Sequence, residues 1–235
     1  DRIAKVMDRL GLKEGEVITH SMVTKSIERA QKKIEAMNFG SRKNLIEYDD
    51  VMNNQREIVY NRRNYALHED DISNELNQII EEYIIDCIEV YCSEKNSENW
   101  DLEGYKEELL DIFAIDLKID KGFSNSDDIK KISLEATSSI IQFKTDNFNH
   151  ELFNNFQKYV ILRTIDEKWQ DHLYTMDQLR EGIGLRAYGQ KNPLIEYKQE
   201  GYTMFQTMME ETNKETLKRI FRTDLSKLGQ SNIQA

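Results

Sequence analysis

Residues 17–67 read VITHSMVTKSIERAQKKIEAMNFGSRKNLIEYDDVMNNQREIVYNRRNYAL, a run with no proline and one glycine, Gly40. Ile27, Ala30, Ile34 and Met37, then Leu45, Tyr48, Met52 and Val59, recur at helical spacing and share one face. Lys, Arg, Glu, Asp, Asn and Gln fill most of the gaps, and most of these tolerate helix. An unbroken helix over this run is roughly 75 Å long at ~1.5 Å per residue. A compact 100-residue domain has a radius of gyration of only about 13 Å. Such a rod ties separate bodies together. Ser41 and Gln55 fall on the stripe and Gly40 interrupts it, so a kink near residue 40 is the alternative.

Working outward, the composition agrees with helix. Proline occurs once, at Pro193, glycine ten times, and charged residues make up 32 % of the 235-residue chain. That balance predicts an all-α fold and argues against a sandwich, barrel or doubly wound sheet. With 39 % apolar residues, including eleven Tyr, nine Phe and two Trp, the chain can build a real core. No run of eighteen apolar residues is present to span a membrane. Residues 1–16 carry a short helical signal (Ile3, Val6, Met7, Leu10) ended by Gly11 and Gly15. They read as the close of a preceding domain plus a hinge, with Thr19 or Ser21 capping the long helix. Cys87 and Cys92 are too few for a disulfide framework or a zinc site; they suit helix packing in a reducing compartment.

Charge divides the chain. Residues 17–67 hold nine Lys and Arg against six Asp and Glu, whereas residues 68–151 hold seven against twenty-two, a balance of −15. The net charge of −11 thus resides in one segment, which reads as a separate small helical lobe with a solvated acidic face. Acidity also argues against nucleic acid as a partner. Within the lobe, Asp71 or Ser73 can cap a helix whose face is Ile72, Leu76, Ile79, Ile80, Tyr83, Ile84, Cys87, Ile88 and Tyr91. A polar connection ends at Trp100, and a short helix spans Leu102 to Phe113. Ile115 to Phe123 is ambiguous. A further helix opens at Asp127, with a face of Ile129, Ile132, Ala136, Ile140, Ile141 and Phe143.

From residue 152 long helix returns. Leu162, Ile165, Trp169, His172, Met176, Leu179 and Ile183 alternate in three- and four-residue steps, the seam of an antiparallel helix pair. Gly182, Gly184, Gly189 and Pro193 then crowd one window: glycine supplies the positive φ that closes a helix, and proline suits the first turn of the next. Leu194, Tyr197, Gly201, Met204, Phe205, Met208 and Met209, then Leu217, Ile220 and Phe221, mark the second helix. Residues 152–222 are therefore a helical hairpin with its tip at 184–192, and residues 223–235 a flexible tail.

Catalytic chemistry is hard to find. The sequence contains no GxxxxGK[ST], GxGxxG, HExxH, CxxC or GxSxG. His20, His68, His150 and His172 are scattered, without metal-ligand spacing. Asp171 and His172 are adjacent on a helix and point apart, so they form no dyad. Trp169, His172, Met176 and Leu179 read as the core of the hairpin. The hairpin tip differs, because Arg186, Tyr188, Gln190 and Lys191 sit among glycines with little to pack against. That is either an ordinary loop or a contact site built on a tyrosine.

Two runs carry a resemblance. LRTIDEKWQDHLYTMDQLREGIGLRAYGQKNPLIEYKQEGYTMF resembles the two-helix finger of SecA, the motor of bacterial preprotein translocation. MVTKSIERAQKKIEAMNFGSRKNLIEYDDVMNNQREIVYNRRN is similar to its long scaffold helix, and the acidic lobe stands where that family has its helical wing. The resemblance implies that ATP hydrolysis in two RecA-like motor domains, absent from this chain, pushes unfolded preproteins through the SecY (SecYEG) channel. The scaffold helix would relay motor movement through Arg42, Lys43, Glu47 and Asp49. The finger tip would touch the preprotein and channel through Tyr188, with Arg186, Gln190 and Lys191 beside it. It also implies a cytoplasmic location, peripheral at the inner face of the bacterial plasma membrane. ATP and Mg are then needs of the motor domains, and this chain is expected to hold no cofactor or metal and to catalyse nothing alone. A free-standing helical adaptor is the alternative. Gly201 leaves the straightness of the second finger helix open, since glycine costs ~1 kcal/mol relative to Ala there.

Overall fold

The structure, a computed structural model, describes residues 21–93, 97–118 and 125–225. The helical signal at residues 3–10, Thr19 as a cap and the tail beyond residue 225 lie outside them. The described residues form six α-helices and two 3-10 turns with no strand among them. These are α1 (Ser21–His68), α2 (Ser73–Tyr91), a turn at Ser97–Asn99, α3 (Leu102–Phe113), α4 (Ser126–Phe148), α5 (His150–Gly182), a turn at Ile183–Gly189, and α6 (Pro193–Arg222). The fold is all-α, as the scarcity of proline and glycine predicts.

The chain divides into two units, Asp1–Met52 and Asn53–Ala235. α1 is 48 residues long and continues as helix through Gly40 and Ser41. A Cβ at Gly40 would meet nothing within 4 Å, so no close approach demands glycine there. The described part of the first unit is the opening of α1. Its stripe residues Ile27, Ile34, Met37 and Leu45 are exposed, Met37 by 65 %, as are the off-stripe Phe39 and Ile46.

In the second unit the same stripe turns inward, and Gln55, Val59 and Ala66 are buried. Just before α2 the Asp71 Oδ1 accepts from the Ser73 N–H at 2.9 Å and from the Ser73 hydroxyl at 2.6 Å, while the cap position itself is Ile72. Asp101 caps α3 through the Gly104 N–H at 2.9 Å, and Ala114 closes that helix in a left-handed conformation (φ 56). The lobe's core joins Leu76, Ile80 and Ile84 of α2 to Tyr105, Leu109 and Phe113 of α3 and Ile129 of α4. Ile115 and Leu117, in the stretch whose reading was ambiguous, are buried without helix; residues 119–124 lie outside the described set. Phe153 and Val160 of α5 and Leu217, Ile220 and Phe221 of α6 complete the same core. Phe113 meets Phe221 edge-on at 4.8 Å and Tyr83 at 5.8 Å, the T-shaped geometry aromatic rings favour.

Phe143 departs from its expected face: it is 65 % exposed, while Ile129 of the same helix is fully buried. Ser133 and Thr137 are buried beside Ile129, and Ile140, Ile141 and Phe148 further along α4 also pack against the core. Cys87 and Cys92 are free and buried. Burial, aided by the Glu108 charge, pushes the Cys87 thiol up to about 12, so it packs as a small apolar group. Part of the lobe's acidity has an address in the fold. Glu108 accepts from Lys214 at 2.7 Å, and Asp111 from Lys218 at 2.8 Å and Arg222 at 3.0 Å, all three cations from α6.

Candidate functional site: the finger and its footing

α5 and α6 run antiparallel. Lys168 pairs with Glu211 and Arg219 with Glu167, while nearer the tip Arg186 pairs with Glu200, so partners fall in number as the first member rises. Ile165, Trp169, His172, Met176 and Ile183 are buried along the seam and Leu179 is half-buried. From α6 they meet Tyr197, Phe205 and Met208, also buried. Each fully buried aliphatic, Met or Phe side chain contributes on the order of 1.5–3 kcal/mol by leaving water.

The tip is a seven-residue 3-10 turn that compresses the end of α5. Its left-handed residue is Gln190 (φ 59), and none of Gly182, Gly184 and Gly189 takes that conformation. Gln190 ends the turn by donating its N–H to the Ala187 carbonyl at 3.1 Å. Asn192 then caps α6 through the Leu194 N–H at 3.0 Å, and Pro193 occupies the first turn. The three glycines serve the surface instead: a Cβ at any of them would meet nothing within 4 Å, so the tip is thin.

Its charges are tied back. Arg186 binds Glu200 at 2.8 Å and Lys191 binds Glu196 at 2.9 Å. Tyr188 stands clear at 88 % exposure, with Leu185 and Gln190 also exposed. The tip therefore offers a neutral aromatic and an aliphatic group for contact, with its two cations held as braces. Tyrosine brings large contact area on few rotatable bonds, which suits a grip tolerant of sequence.

The finger stands on the last part of α1. Arg62 donates to Glu75 of α2 at 3.0 Å and to Asn213 of α6 at 2.7 Å, and Arg63 binds Asp166 of α5 at 2.9 Å. Gln55 reaches His172 of α5 at 2.9 Å and the Gly201 carbonyl of α6 at 3.0 Å. At the finger's base, Lys144 of α4 donates to the carbonyls of Ile220, Phe221 and Thr223 at 2.8–3.1 Å, closing the end of α6 as a cationic cap. Burial lowers the Lys144 pKa, and the Asp224 charge opposes that shift. The sequence reading missed these contacts. Only Gln55 and Gly201 gave a signal, each as a break in an apolar pattern.

The other expected set, Arg42, Lys43, Glu47 and Asp49, lies in the first unit. Arg42, Lys43 and Asp49 are exposed, and Glu47 is half-buried. Lys43 lies 4.0 Å from Glu47 and Arg42 donates to the Asn38 carbonyl at 3.4 Å, contacts too weak to fix either cation. No group of three or more His, Cys, Asp or Glu that could hold a metal occurs among the described residues. Among them, too, no helix is long and apolar enough to cross a membrane.

A long helix that foots an antiparallel hairpin, with a helical lobe sharing the hairpin's core, defines an all-α scaffold module. The model of the SecA wing and scaffold domain matches residues 17–224. The chain is 41 % identical over 231 residues to the protein translocase subunit SecA of Trichlorobacter lovleyi, covering 97 % of this chain and 26 % of that protein. It is 44 % identical over 225 residues to the SecA subunit of Chlorobium phaeovibrioides (94 % and 22 %) and 43 % identical over 225 residues to that of Chlorobaculum tepidum (94 % and 21 %). The chain belongs to the SecA protein translocase family, as its wing and scaffold part. It spans about a quarter of the length of these curated relatives.

Proposed function

We propose that this chain transmits movement in a preprotein translocase: ATP-driven motor domains act on the opening of α1, and the finger hands the motion to an unfolded preprotein at the SecY channel. The wing braces the finger's base. The observation that carries this reading is α1 itself, whose second part is bound into the hairpin while its opening leaves Ile27, Ile34, Met37 and Leu45 uncovered. Contiguous apolar side chains on a surface fit a partner body, and a RecA-like motor domain is that body in this account. Arg42, Lys43, Glu47 and Asp49 lie among these residues and supply polar register to the docking. Tyr188, flanked by Arg186, Gln190 and Lys191, is the contact to preprotein and channel. Hydrolysis and its ATP and Mg belong to the motor, with the whole protein working at the cytoplasmic face of the bacterial plasma membrane. The test is Arg42→Glu in the full-length protein. The response of ATPase rate to added preprotein is expected to fall several-fold, because the reversed charge opposes docking. A response equal to the parent's removes Arg42 from the relay.

A further inference from the structure

Gln55, His172 and Gly201 come from three different helices, and all three are buried at one point of the second unit. Their hydrogen bonds have only one consistent arrangement. The Gly201 carbonyl can only accept, so the Gln55 amide must turn its NH₂ toward it, at 3.0 Å. The Gln55 Oε1 then faces the His172 Nε2 at 2.9 Å, and that nitrogen must carry a proton to donate. His172 is thereby set as the Nε2–H tautomer. Burial lowers its pKa and keeps it neutral. Trp169 lies 5.5 Å from the imidazole at a 31° tilt, and Phe205 of α6 lies 5.7 Å away, so the ring is clamped between aromatic neighbours.

The consequence is mechanical. An apolar seam permits a helix to slip to a neighbouring register, since one set of methyl groups replaces another. A directional polar contact inside such a seam does not, because slippage buries unpaired donors and acceptors. Gln55 binds α5 by a side chain and α6 by its backbone, so neither finger helix can move along α1 without breaking one bond of the pair.

We propose that Gln55, His172 and the Gly201 carbonyl form a register lock that positions both finger helices on the scaffold helix, with His172 donating from Nε2. Gln55 and His172 are positioning residues; their effect on transport rests on the function proposed above, whereas the lock itself is a property of this chain.

Two measurements test it. In the ¹⁵N-histidine-labelled chain, with the His172 signal assigned by its loss in His172→Gln, long-range nitrogen–proton correlation is expected to show the neutral Nε2–H tautomer. Its ring proton should exchange roughly ten times more slowly than in Gln55→Met, which keeps the side-chain volume and removes both polar contacts. An Nδ1–H tautomer, or exchange unaffected by Gln55→Met, overturns the lock. In the full-length protein, Gln55→Met is expected to lower preprotein transported per ATP several-fold, and Gln55→Glu, which can still accept from Nε2, to restore part of it. Unchanged transport with the tautomer present overturns the positioning role. A full-length parent that moves no preprotein overturns the proposed function instead, and the tautomer then decides the lock alone.

Discussion

Tyr188→Ala in the full-length translocase is expected to cut the preprotein transported per ATP hydrolysed by several-fold to roughly tenfold, the effect of losing a contact of about 1.4 kcal/mol. Tyr188→Phe should retain most of it, because the ring supplies the contact area and the neighbouring cations are committed to Glu196 and Glu200. Neither change should move the unfolding midpoint of this chain, since the side chain is 88 % exposed and packs on nothing. The thin tip, with open space at Gly182, Gly184 and Gly189, leaves Tyr188 as its only exposed aromatic group among the described residues. Transport per ATP equal to the parent's in Tyr188→Ala would place the grip elsewhere, with Leu185 the next exposed apolar group.

Tyr105→Ala should be the most damaging single change to the fold, costing about 3–5 kcal/mol, the range seen when a large aromatic leaves a core. Tyr105 is fully buried, meets Tyr91 edge-on at 6.4 Å, and shares a 2.7 Å hydrogen bond with Ser133. The Ser133 hydroxyl donates to the Ile129 carbonyl at 2.8 Å, so the tyrosine is the donor of the pair. Tyr105→Phe keeps the ring and removes that donor, for a cost of about 1 kcal/mol. Small domains are stable by only about 5–15 kcal/mol, so Tyr105→Ala takes a large share. Because Leu217, Ile220 and Phe221 belong to the same core, the loss should reach the base of the finger as well. Urea unfolding measures both variants. A Tyr105→Ala midpoint within error of the parent's would mean the lobe relaxes freely around the missing ring.

What was legible in the sequence follows from how local each cause is. Periodicity is local: the seam from Ile165 to Ile183 and the bounds Leu102–Phe113 could be read directly. The exposure of Tyr188 was legible too, because glycines around a tyrosine deprive it of neighbours. Turn geometry was not. A 3-10 turn put the left-handed residue at Gln190, where the glycine pattern pointed elsewhere. Phe143 shows a second limit: its neighbours Ile140, Ile141 and Phe148 pack on the core while Phe143 points away, so apolar character alone does not say which side of a helix is covered. The footing of the finger depends on pairs far apart in sequence, such as Gln55 with Gly201 and Arg62 with Asn213, and periodicity holds no trace of them. Yet Gln55 and Gly201 were both visible as faults in their own helices. Two faults in two patterns turned out to be one contact.

The central claim is that force enters through the opening of α1 and leaves through the finger. The most direct test places Asp at both Ile34 and Met37 in the full-length protein and measures ATP hydrolysis and preprotein transport together. Both side chains are exposed in this chain, so its own unfolding should be unchanged. Hydrolysis is expected to continue while transport per ATP falls at least several-fold, because charge on the stripe frees the motor from the rod. Transport per ATP held at the parent's value would contradict it.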